Sequence, residues 1–280
     1  MRISLSLFPA LLLASCSPVQ NSAPQALAKP SLAAPSSVIS TPPKAKIEPP
    51  PPTQPQSAKP PRLTRATVEG IDFEGVSFDS ISHHLIVVDQ PAGPGTRWPD
   101  AETAARAKNG IGAINGGFFT PEGAPLGKLV AAGNPAGSWN QSSLGSGVFY
   151  ESPNGIISIA RRQNVDARQR ELLQAGPFLI EESRSVGGLS DQKTSARSFI
   201  AWDGANRWWI GRASPCSLKS LANSLAAKSP TGFPIRSALN LDGGRSSDLF
   251  ISDSVSGGPL TRRSFLNRPV RNFLVLTTRN

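Results

Sequence analysis

The sequence is poor in cysteine, histidine and tyrosine, and each shortage excludes a class of protein. Its 280 residues contain two Cys, two His and one Tyr. Two cysteines cannot build a disulfide framework, and no Cys or His pair has the spacing of a zinc site. The chain also lacks an RNA-binding aromatic signature and a dense Lys/Arg stripe. We therefore expect no nucleic-acid partner and assign no metal ligands.

Long apolar runs are also missing. The run at residues 3–13 is far too short to span a membrane, and beyond residue 62 no long run predicts a transmembrane helix. Residues 3–13 follow Arg2 and lead into Leu-Ala-Ser-Cys at residues 13–16, which resembles a bacterial lipobox. This predicts a lipoprotein signal peptide over residues 1–15, with cleavage before Cys16 and lipidation of Cys16. An ordinary signal peptide with an incidental cysteine is the alternative.

The residue after Cys16 bears on localisation. Ser17 stands where Asp would retain a lipoprotein at the inner membrane, so the segment resembles those of lipoproteins sent to an outer membrane. We therefore expect a lipid-anchored protein of the bacterial cell envelope. In a cell with two membranes, it would lie on the periplasmic face of the outer one.

Residues 16–62 are rich in Pro, Ala, Ser and Lys and poor in large apolar side chains, and residues 49–52 are four consecutive prolines. Such a segment cannot bury a core, so it is predicted to be a disordered, extended tether. Residues 63–280 are long enough for one domain with a sizeable core. They hold 23 Lys/Arg and 18 Asp/Glu, whereas the whole chain has a net charge of +10. This modest surplus suits an anionic envelope polymer or a phosphodiester.

Strand-like and helix-like segments alternate without a regular βαβ rhythm. Helices are predicted at residues 100–108, with Asp100 as N-cap, at 164–174, and at 217–228. Strands are predicted at residues 76–79, 84–89, 111–115, 148–150, 156–160, 178–181, 197–202, 208–212, 237–242, 249–252 and 272–278. The pattern favours the α+β class: a single domain with a mixed β-sheet flanked by a few helices.

Two segments share one pattern, an apolar strand followed by a polar residue and two glycines. Residues 112–119 read Gly-Ala-Ile-Asn-Gly-Gly-Phe-Phe, and residues 237–248 read Ser-Ala-Leu-Asn-Leu-Asp-Gly-Gly-Arg-Ser-Ser-Asp. Paired glycines allow positive φ and let backbone N–H groups converge on a ligand. One cleft lined from two sides is the functional interpretation. Two unrelated turns are the alternative, since Asp-Gly is also a hairpin signal.

These segments resemble the two signature motifs of the phosphodiester glycosidase family. Three further segments resemble the family in the same order: Gln-Ala-Gly-Pro at 174–177, Ser-Ala-Arg-Ser at 195–198, and Arg-Pro-Val-Arg-Asn at 268–272. Together the five motif segments cover roughly residues 66–280. The resemblance implies an envelope-anchored hydrolase that cleaves glycosyl-1-phosphodiester linkages in a polysaccharide or glycolipid, so the implied partner is a phosphodiester-containing glycan.

Cleavage of a sugar–phosphate diester needs a carboxylate to activate water or attack the anomeric carbon. It also needs cations or N–H groups to hold the phosphate. We assign Asp242 as the carboxylate and Arg197 as the phosphate clamp, with Asn115 orienting the sugar or Asp242. Arg197 could instead form a structural salt bridge with Asp242. The candidate substrate-binding residues are Gly116, Gly117, Phe118, Asn240, Gly243, Gly244, Ser246, Ser247, Arg268 and Asn272. The N–H groups of the four glycines are the candidate oxyanion donors.

One residue departs from the family pattern, because Arg245 occupies a position where the family usually has a third glycine. A long cation there adds a phosphate contact, blocks close backbone approach, or requires a φ that glycine takes more easily. A non-catalytic glycan-binding or envelope-assembly lipoprotein that keeps the cleft is therefore the alternative function. No cofactor is certain. A divalent metal shared by Asp242 and phosphate is possible, although no spacing demands one.

Overall fold

Seventeen strands and two α-helices make up residues 58–279, the part of the chain that the computed structural model describes. In chain order the strands are β1 (Arg62–Val68), β2 (Ile71–Asp79), β3 (His83–Asp89), β4 (Gly112–Asn115), β5 (Leu129–Ala131), β6 (Asn134–Ala136), β7 (Gly147–Glu151), β8 (Ile157–Arg161), β9 (Glu171–Ala175), β10 (Phe178–Glu181), β11 (Arg184–Ser185), β12 (Ser195–Trp202), β13 (Arg207–Cys216), β14 (Ser237–Asn240), β15 (Asp248–Ile251), β16 (Leu260–Arg263) and β17 (Asn272–Thr278). The helices are α1 (Ala101–Arg106) and α2 (Leu218–Ala227), and 3₁₀ turns occupy Ser143–Gly145, Arg162–Asn164 and Gly244–Ser246.

The strands form three sheets. One has seven strands in the order β1-β2-β13-β12-β14-β10-β11, and two have five, in the orders β16-β15-β4-β17-β3 and β6-β5-β9-β7-β8. Neighbouring strands within each sheet pair antiparallel. The central strand pairs join distant parts of the chain, as when β17 aligns with β3 and β4.

The main hydrophobic core lies between the three sheets. It contains side chains from every sheet, such as Val76, Ile114 and Leu173. Alternate residues of the same strands face the other way: Leu274 joins this core, whereas Phe273 packs with the α1 residue Ala104. Because both faces of these strands are buried, their sequences read as continuous apolar runs.

Each α-helix covers one outer sheet face and begins at a capping side chain. The Asp100 carboxylate accepts a hydrogen bond from the Thr103 N–H (2.7 Å), and the Thr103 hydroxyl in turn caps the Asp100 N–H. The Ser217 hydroxyl accepts from the Ser220 N–H (3.0 Å) at the start of α2. Leu221 of α2 packs on the seven-stranded sheet. Among residues 58–279, no helix is long and apolar enough to cross a membrane.

The prediction of an α+β domain with few helices is confirmed, and two of the three predicted helices are present. The third predicted helix, at residues 164–174, was wrong, because its last four residues belong to β9 at residues 171–175. All five residues of β9 are buried between β5 and β7, the polar Glu171 and Gln174 included, so strand pairing rather than helical periodicity determines their structure. The sheet material also differs from the single mixed sheet expected, since it divides into three antiparallel sheets. Strand β1 begins at Arg62, one residue before the predicted domain start. The predicted signal peptide, Cys16 and the tether up to residue 57 lie outside the described residues.

Candidate active site

A cleft of about 410 Å³ lies where the five motif segments meet. Each segment contributes at least one lining residue, although the segments are scattered over more than 150 positions of the chain. A larger cleft of about 670 Å³ beside β1 and β13 contains none of the motif residues. The lining residues of the smaller cleft are Phe118, Leu144, Pro177, Lys193, Ser195, Arg197, Leu218, Asn240, Asp242, Gly243, Gly244, Arg245, Ser246 and Arg268.

Asp242 is the one carboxylate in this lining, and the two signature motifs hold it in place together. Its N–H donates to the Gly116 carbonyl (3.0 Å), and its own carbonyl accepts from the Asn115 amide (2.6 Å). On the side chain, Oδ1 accepts from the Gly243 N–H (2.9 Å). Oδ2 is buried and has no hydrogen-bond partner among the described residues, although Arg268 Nη2 lies 3.8 Å away.

Burial is the largest influence on the pKa of the Asp242 carboxyl. The side chain is almost fully enclosed, and this desolvation raises the pKa of the Asp242 carboxyl above its ordinary value. Ser246, Arg268, the Gly243 N–H and Lys193 act in the opposite direction, because they favour the charged form. A buried carboxylate with a raised pKa and an oxygen left without a donor is typical of a catalytic group, although structural carboxylates also show such shifts.

Arg268 is the cation that faces Asp242. Its Nε donates to the Ser246 hydroxyl (3.2 Å), and its guanidinium lies over the Phe119 ring at 4.7 Å. These contacts fix the guanidinium beside the Asp242 carboxylate. Arg268 was predicted only as a substrate-binding residue, because no local sequence pattern shows that it lies beside Asp242 in the folded chain.

Arg197 lines the cleft but makes no ion pair with Asp242. Its Nε donates to the Cys216 carbonyl (3.0 Å) and its Nη2 to the Lys193 carbonyl (2.6 Å). Burial is the largest influence on its guanidinium and lowers the pKa of Arg197. The alternative of a structural Arg197–Asp242 salt bridge is therefore wrong. Arg197 remains a candidate phosphate ligand through its Nη1, which donates to no described residue.

Three of the four glycine N–H groups are already bonded within the protein. The N–H of Gly116 donates to the Asn272 carbonyl (2.9 Å), that of Gly117 to Asn272 Oδ1 (2.7 Å), and that of Gly243 to Asp242. The prediction that these three serve as oxyanion donors is therefore wrong. Glycine is needed at 116 for space instead, since a Cβ there would lie 2.1 Å from Asn272 Oδ1.

Arg245 adopts a backbone conformation open to any residue. The positive φ in this segment, +61°, falls on Gly244, and Arg245 continues the 3₁₀ turn. Its Nε donates to the Leu266 carbonyl (2.8 Å), and the rest of its guanidinium lies at the rim of the cleft. The backbone at position 245 is therefore unstrained, and it does not require the glycine that the family usually has there.

A buried polar network lies behind the cleft. The carboxamide of Asn115 is fully buried, and its Oδ1 accepts from the Ser198 hydroxyl (2.7 Å) and the Asp248 N–H (3.1 Å). The Ser247 hydroxyl lies 3.0 Å from that of Ser198. Asn115 and Ser247 do not line the cleft. Asn115 contacts the Asp242 carbonyl, which agrees with the alternative that it orients Asp242 rather than the sugar, whereas Ser247 contacts Ser198 behind the cleft.

The remaining predicted residues divide between lining and bracing. Phe118 lines the cleft, as does Asn240, whose Nδ2 donates to the Gly176 carbonyl (2.9 Å) and whose Oδ1 has no partner among the described residues. Asn272 is buried and braces the first motif. Sequence reasoning missed Lys193, which has no motif around it, and the role of Gln174. The Gln174 carboxamide makes hydrogen bonds with four backbone groups of residues 128, 140 and 145 and so connects the loops that contain them.

The cleft offers little to a metal ion. Among residues 58–279, no group of three or more His, Cys, Asp or Glu side chains is placed to hold one. Four cations, Lys193, Arg197, Arg245 and Arg268, surround the single carboxylate. The arrangement therefore suits an anionic ligand that brings one electrophilic centre to Asp242.

Comparison with known proteins shows the family of this chain. Residues 108–277 match the sequence model of the phosphodiester glycosidase family, and because this match covers more than half of the chain, the chain belongs to that family. The match includes all five motif segments. No curated protein matches.

Three solved structures share the fold. The catalytic domain of zebrafish N-acetylglucosamine-1-phosphodiester α-N-acetylglucosaminidase, described as auto-inhibited by its pro-peptide, has a TM-score of 0.55 at 15% identity over 81% of this chain and 85% of that one. A hypothetical protein from Synechocystis has a TM-score of 0.53 at 17% identity over 81% and 64%. A putative exported protein from Burkholderia pseudomallei has a TM-score of 0.50 at 13% identity over 74% of each chain.

Proposed function

We propose that this protein hydrolyses glycosyl-1-phosphodiester linkages, with Asp242 as the reacting carboxylate. The observation that carries the proposal is the pairing of one buried carboxylate with four cations in a cleft built from all five family motifs. A phosphodiester is a monoanion that such a cleft attracts, and a carboxylate is the group that glycosyl transfer to water requires.

In the proposed reaction the bond between the anomeric carbon and the phosphate oxygen breaks. Its electron pair leaves with the phosphate, which becomes a monoester, and the anomeric carbon acquires the hydroxyl of water. Phosphate is a good leaving group, so one carboxylate suffices and no second carboxyl acid is needed in the lining. Asp242 either takes the proton from water or attacks the anomeric carbon itself, and the anomer of the released sugar distinguishes the two routes.

The cations have separate places in this scheme. Arg268 lies beside Asp242 and is bonded to Ser246, so it is positioned to hold the phosphate oxygen nearest the anomeric carbon. Arg197 lines the same cleft, is held by two backbone carbonyls through Nε and Nη2, and keeps Nη1 for a phosphate oxygen. Two fixed guanidiniums stabilise the charge that builds on the leaving phosphate without having to reorganise.

Binding without turnover is a second candidate function, and one observation favours it. The N–H groups of Gly116, Gly117 and Gly243 are bonded internally, so they give a developing oxyanion no backbone donors. In this form the protein would be a glycan-binding or envelope-assembly lipoprotein. It would recognise the same phosphodiester through the same cations.

Anchoring in the bacterial envelope belongs to the same proposal. It rests on the apolar residues 3–13, the lipobox-like residues 13–16 and the Pro-rich tether, all from the sequence. Expression in a bacterium with labelled palmitate tests it directly. Label on the wild type and none on Cys16→Ser supports the anchor, whereas equal label, or none, on both contradicts it.

The activity is tested with the nitrophenyl-phosphoryl diester of N-acetylglucosamine, a sugar chosen because the zebrafish relative is named for it. The wild type, Arg197→Ala and the surface control Arg168→Ala are compared, with and without EDTA. We expect sugar release by the wild type and the control in both buffers, and a rise in KM for Arg197→Ala. Binding of the diester by calorimetry without release, across a panel of sugars, would favour the non-catalytic function.

A further inference from the structure

The turn at residues 264–267, between β16 and β17, carries two adjacent exposed apolar side chains, one of them the most exposed large apolar side chain of the described residues. Phe265 is 100% exposed and Leu266 is 62% exposed. Large apolar side chains in the rest of residues 58–279 are mostly buried, and a wholly exposed Phe stands out among them. Adjacent exposed apolar side chains form a small apolar patch, and exposed apolar patches rimmed by polar residues mark interaction sites.

This apolar tip is fixed at its base to the segment that carries Asp242. The N–H of Ser264 donates to the Ser247 carbonyl (3.2 Å), and the Ser264 hydroxyl donates to the Gly244 carbonyl. The N–H of Asn267 closes the turn on Ser264 (3.0 Å). Hydrogen bonds of Ser264, at the β16 end of the turn, therefore hold the tip beside the segment that carries Asp242.

A second set of hydrogen bonds links the tip to the rim cations. Arg245 Nε donates to the Leu266 carbonyl (2.8 Å), and the Arg268 N–H donates to the Arg245 carbonyl (3.0 Å). Arg245 has no acidic partner among the described residues, and neither does Lys193, another cation of the cleft lining. The apolar tip is therefore bonded directly to one unneutralised cation of the cleft lining.

The positive charge of Arg245 beside the tip indicates which kind of partner this surface binds. A second copy of the same patch would bring like charges together, which opposes self-association through it. An anionic bilayer matches both features, since aromatic and leucine side chains enter the interfacial region while Arg and Lys contact lipid phosphates. The side-by-side placement of Phe265, Leu266 and Arg245 is what an interfacial lipid-binding turn needs.

We infer that the Phe265–Leu266 tip docks this domain on an anionic lipid bilayer and places the Asp242 cleft at headgroup level. The consequence for substrate class rests on the proposed function: the scissile diester belongs to a glycan carried at the membrane surface. Docking itself does not depend on turnover, so the two can be tested apart.

The test measures co-sedimentation of the full chain carrying Cys16→Ser, so that no lipid anchor contributes. Vesicles of phosphatidylcholine alone are compared with vesicles containing 30% phosphatidylglycerol. We expect binding to the anionic vesicles to be about tenfold stronger than to neutral ones. The double variant Phe265→Ser/Leu266→Ser loses at least about tenfold, the size expected from withdrawing two partly inserted apolar side chains.

Two further variants make the comparison specific. Ile156→Ser is the matched control, because Ile156 is also 62% exposed but lies in the β7–β8 turn away from the cleft. It should bind the vesicles like the parent. Arg245→Gln keeps the tip and should weaken anionic binding about threefold, with a smaller dependence on salt. Far-ultraviolet circular dichroism confirms that each variant is folded.

Several results would overturn the inference. These are equal vesicle binding by parent and double variant, no binding to anionic vesicles, or equal loss in Ile156→Ser. A dimer in sedimentation velocity that the double variant abolishes, without vesicle binding, would assign the tip to a second copy instead. Turnover of the soluble nitrophenyl diester, assayed without vesicles, separates the two proposals. Vesicle binding without turnover leaves docking intact, and turnover without vesicle binding removes docking alone.

Discussion

Replacing Asn115 with alanine should destabilise the domain more than any single change at the cleft surface. The Asn115 carboxamide is fully buried and makes three hydrogen bonds, to the Asp242 carbonyl, the Asp248 N–H and the Ser198 hydroxyl. Alanine leaves the first two backbone groups buried without a partner, whereas Ser198 keeps its contact with Ser247. Each orphaned group costs about 1–3 kcal/mol, so we expect a total loss of about 3–5 kcal/mol.

Urea unfolding followed by circular dichroism measures this loss, and a thermal scan should show Tm lowered by roughly 10 °C for a domain of this size. Asn115→Asp is the sharper variant. It keeps the volume and an acceptor but turns an oxygen toward the Asp242 carbonyl, so it should cost nearly as much as alanine. The control is Asn134→Ala, an exposed residue whose amide makes two long bonds of 3.3 Å; it should change stability by less than about 0.5 kcal/mol. A loss below about 1 kcal/mol for Asn115→Ala would refute the bracing role.

Three further predictions concern charge. Burial raises the pKa of Glu171 to about 7, above its value in the unfolded chain. Protonated Glu171 therefore favours the folded state. Its contribution to the free energy of unfolding is fully present below about pH 4 and is lost as pH rises to 7. In urea unfolding, the free energy of unfolding of the wild type should fall by up to about 3 kcal/mol between pH 5 and 8, and that of Glu171→Gln should lack this fall. The same pH dependence in both proteins would contradict the prediction. Arg268→Ala removes a cation that lowers the pKa of Asp242, so the acid limb of the pH–rate profile should move to higher pH. Arg245→Gly should fold with a Tm within a few degrees of wild type, since Arg245 has an ordinary φ, and should raise the KM for the nitrophenyl diester about fivefold; an unchanged KM would exclude Arg245 from phosphate binding.

Local sequence information predicted the elements whose signals are themselves local. The Asp100 cap, the amphipathic α2 and the strand at residues 272–278 all follow from side chains within a few positions of one another. Residues 171–175 show the limit of such reasoning. Their sequence, Glu-Leu-Leu-Gln-Ala, fits a buried strand as well as a helix, and only pairing with β5 and β7 decides between the two.

The candidate site was predictable as a set of segments but not as a set of contacts. Family resemblance brought the five motifs together, and their convergence on one cleft agrees with it. It did not reveal that Asn272 occupies the N–H groups of Gly116 and Gly117, or that Arg268 rather than Arg197 faces Asp242. These contacts join residues from about 25 to 155 positions apart, and their geometry depends on how three sheets pack.

The role of Asp242 is tested by the rate at which the wild type and Asp242→Asn release sugar from the nitrophenyl-phosphoryl N-acetylglucosamine diester at saturating substrate. Asparagine preserves the shape of the side chain and removes the charge. We expect turnover by the wild type, a loss of at least about a thousandfold in kcat for Asp242→Asn, and binding of the diester by both proteins. Turnover by Asp242→Asn at the wild-type rate would contradict this role, because the reacting carboxylate would then have to lie elsewhere.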